Sequence, residues 1–264
     1  FSPQYLSQGI PGEAAYDIEN TEYLLSFGAS LLEAGPSPVR QLRAWSKHRH
    51  DHPGHRVKIV QVDTRQSLTA LKADEWIPIR PGTDGALALG MAHVLVAEER
   101  HDKRFVASST FGFEEWTDSA GRTHMGFRKI LAEYKLEEVE KITGVPARTI
   151  RRLAREFSEH RPAIALPGDG LGRYSNGLWS RWAVYCLNAL VGSVGRPGGI
   201  LVPMAVPHVA WPPVARDAVA RQTLAATRVD GAGLPGDPLS DSMPHALPAA
   251  LQEGRPYPVE ALFV

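Results

Sequence analysis

In the first third of the chain, apolar positions fall into three short runs, each followed by a turn. Residues 22–28 (EYLLSFG) are apolar and close on a glycine, while residues 56–63 (RVKIVQVD) alternate, are rich in Val and Ile, and end on an aspartate. These patterns predict two strands. Residues 75–79 (EWIPI) predict a third strand, in which Pro78 favours an edge position or the end of the strand.

Helical periods separate and follow these strands. Residues 38–47 predict a helix with Pro38 in its first turn, and residues 67–73 (SLTALKA) predict a short one. Residues 83–99 repeat apolar side chains at helical spacing, and the members of one face are Leu87, Met91, Val94 and Leu95. Strands that alternate with helices predict βαβ units and a parallel sheet.

The second half of the chain begins in the same style and then changes. After a mixed, loop-rich stretch, residues 135–144 and 146–160 predict two helices. Residues 161–170 predict a strand that runs into a glycine turn, and residues 177–190 predict an apolar helix. Beyond Ile200 no regular period survives, and ten of the 21 prolines lie in residues 203–258.

These elements together predict an α/β fold in three parts. Residues 1–160 form a Rossmann-like parallel sheet with flanking helices. Residues 161–202 belong to part of a second α/β lobe, and residues 203–264 form an irregular, Pro-rich extended segment.

Composition narrows the function classes. The 29 basic and 29 acidic residues cancel, so no basic field favours nucleic acid or an acidic membrane. The single cysteine, Cys186, lies in an apolar helix, which predicts a small core residue; alone it cannot form a disulfide or an iron–sulfur or zinc site. No apolar run approaches the ~20 residues of a membrane span. The first residues lack an initiator Met and a signal peptide, so we expect an internal piece of a longer protein.

Three predicted strands end in polar or glycine-containing turns. The chain contains neither G-x-G-x-x-G nor a Walker A sequence, so each turn alone is also explained as a plain connection. Ligands of open parallel sheets bind outside the carboxyl ends of the strands, so the three turns together predict a nucleotide site. The candidate residues are Gly28, Ala29 and Ser30, then Asp63, Thr64, Arg65 and Ser67, and finally Gly82, Thr83 and Asp84. Asp84 is equally suited to be the N-cap of the next helix.

Several segments resemble the large catalytic subunits of molybdopterin oxidoreductases. The segments are YLLSFGASLLEAGP, VKIVQVDTRQSLTALKADEWIPIRPGTDGALALGMAHVLV, FGFEEW, ITGVPARTIRRLAREF and NALVGSVGRPGGI. The resemblance covers roughly residues 20–202 in unbroken order. It is to the bis-molybdopterin guanine dinucleotide enzymes of the dimethyl sulfoxide reductase superfamily, and within them to polysulfide, thiosulfate and tetrathionate reductase-like enzymes and quinone-linked relatives.

The resemblance implies roles for the candidate residues. The turn at Gly28 would approach a phosphate of the guanine dinucleotide, the segment after Asp63 would hold its ribose, guanine or pyrophosphate, and Asp84 would read the guanine edge. The later turn PGDGLGRYSNG resembles one that faces the pterin. There, Asp169 and Arg173 stand where many relatives carry Met and Gln.

The resemblance also implies a metal and partners. The metal ligand of the family, a Cys, selenocysteine, Ser or Asp, would fall before Phe1 or within the first 20 residues of this chain; the candidates are Ser2, Ser7 and Asp17, and none is assigned. Molybdenum or tungsten would be held with the rest of the same subunit, and the iron–sulfur cluster would lie outside this chain, so the chain alone is expected to be inactive. The implied partners are an iron–sulfur electron-transfer subunit and a membrane quinone-reactive subunit, in a periplasmic or periplasm-facing complex.

Other interpretations remain beside this one. A non-catalytic, molybdopterin-binding-like subunit of a menaquinone reductase-type complex would keep the fold without the metal. The four histidines of residues 47–56 (KHRHDHPGHR) predict a solvated loop more than a metal site. Residues 142–157 resemble a helix-turn-helix, but nearby glutamates and the zero net charge argue against DNA, and we predict no nucleic-acid partner.

Overall fold

The computed structural model describes residues 9, 14–35, 37–50, 57–203, 209, 212, 214–232, 243 and 245–261. The chain divides into two compact units, Ser2–Pro203 and Met204–Val264. The first unit contains a sheet of four parallel strands: β2 (Tyr23–Phe27), β3 (Lys58–Asp63), β4 (Glu75–Pro78) and β7 (Ala163–Pro167). Their order is β4-β3-β2-β7.

In the described part of the chain, four short strands lie outside this sheet. β1 (Ala15–Tyr16) pairs antiparallel with β8 (Ile200–Leu201), and β5 (Trp116–Thr117) pairs antiparallel with β6 (Thr123–His124). The helices of the first unit are α1 (Pro38–His50), α2 (Leu68–Lys72), α3 (Asp84–Ala97), α4 (Lys103–Ser109), α5 (Phe127–Leu131), α6 (Leu136–Thr143), α7 (Ala147–Glu159) and α8 (Gly177–Leu190), with a 3₁₀ turn at Asp169–Arg173. Within the described residues, no helix is long and apolar enough to span a bilayer.

The two faces of the sheet bury separate apolar clusters because successive side chains of a strand point to opposite faces. Leu24 and Ile59 pack with Ala44 of α1 on one face. Leu25 and Val60 pack with residues of α3, α7 and α8 on the other. The predicted strands are confirmed, and Pro78 closes β4 at the edge of the sheet, where its missing N–H costs no ladder bond.

The apolar face predicted for the helix after β4 is buried, and burial extends around the rest of the helix. Ten of the 14 residues of α3 are buried, and they surround the helix. The cause is tertiary packing, because α3 lies among α6, α7 and α8 as well as against the sheet. A helix that is apolar all round belongs inside the core.

The predicted boundary at residue 161 is wrong. β7 pairs in parallel with β2 from Tyr23 opposite Ala163 to Phe27 opposite Pro167. Residues 161–202 therefore complete the first sheet instead of starting a second lobe. The segment predicted to be irregular contains two helices, α9 (Ala218–Ala225) and α10 (Leu247–Glu253), and neither has a buried residue.

The described part of the histidine-rich segment is helical. Lys47–His50 continue α1, and His48 is 6% exposed, with Nε2 close to the carbonyl oxygen of Ile18. Residues 51–56 lie outside the described residues. Among the residues that are described, no three His, Cys, Asp or Glu side chains are grouped to hold a metal ion.

At the amino ends of β2, β3 and β4, a charged network joins the sheet to α7. Glu156 accepts hydrogen bonds from the Tyr23 hydroxyl at 3.0 Å, from Lys58 Nζ at 2.8 Å and from Arg152 Nη1 at 2.8 Å. Arg152 also binds Glu75. Although burial acts to raise the pKa of Glu156, these hydrogen bonds lower it. The network fixes the edge of the sheet opposite the strand-end turns.

The helix pair α6–α7 packs beside the sheet, and most of its arginines are paired. Three of the four arginines in this segment form ion pairs with the protein's own carboxylates: Arg151 and Arg155 with Glu98, and Arg152 with Glu75 and Glu156. The basic face suggested by the sequence is therefore largely neutralised.

Candidate functional site

Turns at the carboxyl ends of the four strands lie at one edge because the strands are parallel. The strand order reverses between β2 and β7: the chain first moves outward through β3 and β4 and later returns to the other side of β2. Open α/β sheets bind ligands at such a switch point. The turns at this edge are also joined to one another by direct contacts.

The turns after β2 and β7 touch through backbone. The Gly168 amide donates to the carbonyl of Phe27 at 2.7 Å, and a Cβ at Gly168 would lie 2.3 Å from the carbonyl oxygen of Gly28. Only glycine permits this approach without a shift of the backbone. The two turns thus form one continuous backbone surface at the switch point.

Side chains tie the turn after β2 to the turn after β3. The Glu33 carboxylate accepts from the Leu68 amide at 2.9 Å and lies 3.6 Å from the Arg65 guanidinium. The Leu32 amide donates to Thr69 Oγ1 at 3.2 Å. Arg65 is therefore held near the first turn while most of its side chain stays exposed.

The segment after β7 reaches across to the turn after β4. Asn176 Nδ2 donates to the carbonyl of Gly82 at 3.1 Å. Gly82 has φ +74°, and a Cβ there would lie 3.1 Å from the Tyr174 ring. The Ile79 amide donates to the Asp63 carbonyl at 3.3 Å, which joins the end of β4 to the end of β3. Each of the four strand ends is therefore linked to two others.

Asp63 lies at the centre of a small hydrogen-bond system. Its Oδ2 accepts from Gln61 Nε2 at 3.2 Å and from Ser67 Oγ at 3.0 Å. Ser67 is 2% exposed and also accepts from the Ala70 amide, which makes it the N-cap of α2. The sequence predicted that Ser67 contacts the ligand. In the structure, Ser67 is buried beneath the site, where it supports Asp63.

Asp84 is a buried carboxylate at this edge. It is 6% exposed, and burial, helped by the nearby Asp63 carboxylate, raises its pKa to about 6, although its own backbone amide acts in the opposite direction. Among the described residues, no other side chain forms a hydrogen bond or ion pair with it. The interpretation of Asp84 as an N-cap is wrong, because Thr83 occupies that position and Asp84 is the first residue of α3.

The remaining predicted residues differ in exposure. Ala29 is buried, Ser30 and Thr83 are half-buried, and the Thr83 hydroxyl donates to the Arg80 carbonyl at 2.7 Å. Three further candidates are exposed at the same edge: Thr64, Asp169 and Arg173. The structure thus brings all twelve predicted residues to one edge of the sheet, with Ser67 and Ala29 beneath its surface.

Reasoning from sequence missed three residues that shape the edge: Gln61, Tyr174 and Asn176. Gln61 had a signal, because it is a polar residue in the middle of the apolar strand VKIVQVD. Tyr174 and Asn176 act on a turn more than 90 positions away, which no local pattern reveals.

The candidate metal ligands are only partly described. Ser2 and Ser7 lie outside the described residues. Asp17 is 8% exposed, and its carboxylate accepts from Asn20 Nδ2 and from the Gly198 amide at 2.8 Å. Its hydrogen bonds hold the chain before β2 to the loop before β8, so its role in this structure is to join these segments.

Comparison with known proteins matches this arrangement to a family. The family model described as Molybdopterin oxidoreductase matches residues 4–228. The chain belongs to the molybdopterin oxidoreductase family. The resemblance expected from the sequence, to the dimethyl sulfoxide reductase group, is confirmed.

Individual relatives of this molybdopterin oxidoreductase chain are much longer. The chain is 31% identical over 225 residues to the arsenate respiratory reductase molybdopterin-containing subunit ArrA of Chrysiogenes arsenatis, which covers 79% of the chain and 25% of the relative. It is 32% identical over 195 residues to the menaquinone reductase, molybdopterin-binding-like subunit of Nitratidesulfovibrio vulgaris. This match covers 73% of the chain and 25% of the relative. The solved structure of acetylene hydratase from Pelobacter acetylenicus matches with a TM-score of 0.61 and 26% identity. This match covers 76% of the chain and 25% of the acetylene hydratase chain. The chain therefore spans about a quarter of the length of these relatives.

The carboxyl edge has backbone and side chains that suit a cofactor with phosphate groups, such as the molybdopterin that the family implies. The Gly28–Gly168 contact leaves backbone without side chains at the switch point, where a pyrophosphate can approach. Arg65 is exposed on the neighbouring turn after β3, and arginine pairs with phosphate. Asp84 offers two acceptor oxygens, which match adjacent N–H donors of a base edge. The residues present fit the group that the family implies.

Proposed function

We propose that residues 2–203 bind the guanine dinucleotide part of a molybdopterin cofactor, within the catalytic subunit of a respiratory oxidoreductase. The observation that carries the proposal is Asp84. A buried carboxylate with no other side-chain partner among the described residues is unfavourable unless a ligand supplies donors. The guanine base has such donors, N1–H and the 2-amino group, side by side on one edge.

Each residue then has a separate task. Asp84 accepts from the base and selects guanine over bases that present acceptors at the same positions. Asp63 lies close enough to raise the pKa of Asp84, so the two carboxylates share one donor-rich region of the ligand. Arg65 and the glycine backbone at Gly28 face the pyrophosphate. When bound, the cofactor supplies the two-electron redox chemistry of molybdenum or tungsten, and this chain orients it.

Asp169 and Arg173 face the pterin in this proposal. Both side chains are exposed on the 3₁₀ turn that follows β7, next to the glycine contact. The whole subunit would work with an iron–sulfur electron-transfer partner. The quinone-reactive membrane partner and the periplasm-facing location stay predictions.

A second function is favoured by one specific relative. The similarity to a subunit called molybdopterin-binding-like supports a non-catalytic subunit of a quinone-reducing complex that retains the fold. In that case the edge would keep its shape, and the complete protein would carry no metal.

Analysis of the complete protein tests both. The purified protein is hydrolysed in acid, and the released guanine nucleotide and the molybdenum or tungsten are quantified per chain. Stoichiometric nucleotide and metal support the catalytic proposal, and nucleotide without metal supports the second function. Absence of guanine nucleotide from a preparation purified without oxygen would refute the binding proposal itself.

A further inference from the structure

Gln61 is a buried polar residue in the middle of the sheet. It lies on β3, is fully buried, and is the register partner of Ser26 on β2, which is also fully buried. Leu24 and Ile59, two residues earlier on the same face, are apolar. An apolar side chain at this position would cost less free energy on folding, because burying an amide is unfavourable unless it forms hydrogen bonds.

The hydrogen bonds of Gln61 go to two walls of the site. Its Nε2 donates to the carbonyl of Ala29 at 3.3 Å, in the turn after β2, and to Asp63 Oδ2 at 3.2 Å, at the end of β3. Both partners are acceptors, so the nitrogen must face the site, and this fixes the orientation of the amide. Among the described residues, Gln61 Oε1 and Ser26 Oγ have no hydrogen-bond partner.

We propose that Gln61 is a positioning residue for cofactor binding, which holds the turn at Ala29 and the Asp63 carboxylate at a fixed separation. The inference rests on the proposed function above. Gln61 does not touch the ligand. Together with Ser67, it holds Asp63 Oδ2, so that Asp63 Oδ1 and the Asp84 carboxylate meet the ligand in one arrangement.

Gln61→Met tests the donor, since it keeps the length and burial of the side chain and removes the N–H. The measurement is the rate at which the complete protein loses bound guanine nucleotide during dialysis. Loss of a hydrogen bond to a charged group predicts a rate about 10-fold higher. Ser26→Ala is the matched control: it removes a neighbouring, equally buried polar atom that has no hydrogen-bond partner among the described residues, and the rate should not change.

A double-mutant cycle separates positioning from a general structural role. If Gln61 acts through Asp63, Gln61→Met in an Asp63→Ala background adds less to the rate than it does in the wild type. Fully additive effects would overturn the proposal, as would equal rates for the wild type and Gln61→Met. If Gln61→Met does not yield folded protein, the double-mutant cycle is measured with Gln61→Glu instead. This variant keeps the size and polarity of the side chain, but it places an oxygen where Nε2 donates to the Ala29 carbonyl and to Asp63.

The outcomes also distinguish this inference from the proposed function. A wild-type protein without guanine nucleotide removes the proposed function and with it the inference. A wild-type protein with nucleotide that Gln61→Met releases no faster removes the inference alone.

Discussion

Replacing Asp84 by Asn should make the cofactor-free protein more stable and the cofactor less tightly held. The change keeps the size of the side chain and removes a charge that is 6% exposed. Burial and the nearby Asp63 raise the pKa of Asp84 from 3.8 to about 6. At ~1.4 kcal/mol per pK unit, a shift of about two units makes the ionised form about 3 kcal/mol less favourable in the folded than in the unfolded state.

The sign follows from proton binding. Between pH 4 and pH 6 the folded state holds the Asp84 proton more tightly than the unfolded state does. The contribution of Asp84 to the free energy of unfolding therefore falls as pH rises through this window, and it stays low above the folded pKa. Asn lacks this dependence. Because a buried amide without partners has its own cost, the net gain of Asp84→Asn at pH 7.5 should be about 1–3 kcal/mol.

Denaturant unfolding of the cofactor-free protein at several pH values between 4 and 8 measures the difference between wild type and variant. Comparing the two at each pH cancels the titration of all other carboxylates. The difference should be small at pH 4 and grow to its full size above pH 6. The reasoning is refuted if the variant is the less stable protein at pH 7.5, or if the difference does not depend on pH. Full retention of guanine nucleotide by Asp84→Asn would refute the assigned role in binding.

Three further predictions concern other parts of the first unit. Gly168→Ala should cost about 1–3 kcal/mol of stability and speed the loss of nucleotide, because its Cβ would collide with the Gly28 backbone. Gly170→Ala, two residues away in open space, is its control, and equal melting temperatures for the two variants would contradict the steric argument. Glu156→Gln should lower stability by about 1–3 kcal/mol at pH 7 without altering nucleotide retention, since it weakens charged hydrogen bonds at the opposite edge; unchanged unfolding midpoints would contradict this. Cys186 is half-buried, and desolvation raises its pKa to about 12, so the native protein should react with iodoacetamide much more slowly than the unfolded protein; equal labelling rates at pH 8 would contradict this.

The sequence was informative wherever local chemistry decides the structure. Strand ends and helix starts were predicted because Pro, Gly and acidic residues interrupt the apolar runs there, as at Pro78 and Gly82. The pairing of β7 with β2 was not predicted, since it joins residues about 140 positions apart and depends on the packing of both faces. The same cause explains α3, whose all-round burial follows from helices that come later in the chain.

At the site, too, features set by local sequence were predicted and features set by long-range contacts were not. The turns were found because parallel strands place their carboxyl ends together, and this rule needs only the strands and their direction. What the sequence could not give was the support beneath and between the turns. Ser67 was assigned to the ligand although it caps α2, and Asn176 was overlooked although it holds the Gly82 turn.

The two edges of the sheet differ in how their charges are compensated, and this difference bears on function. At the amino edge, Glu156 is surrounded by Lys58, Arg152 and Tyr23, so each charge has a partner within the fold. At the carboxyl edge, Asp84 is buried beside another carboxylate and raises the free energy of the empty site. Folding alone would favour an uncharged residue there, so the charge is best explained by a ligand that supplies donors. It follows that substitutions at the amino edge should change stability and not retention of nucleotide, whereas Asp84→Asn should change the two in opposite directions.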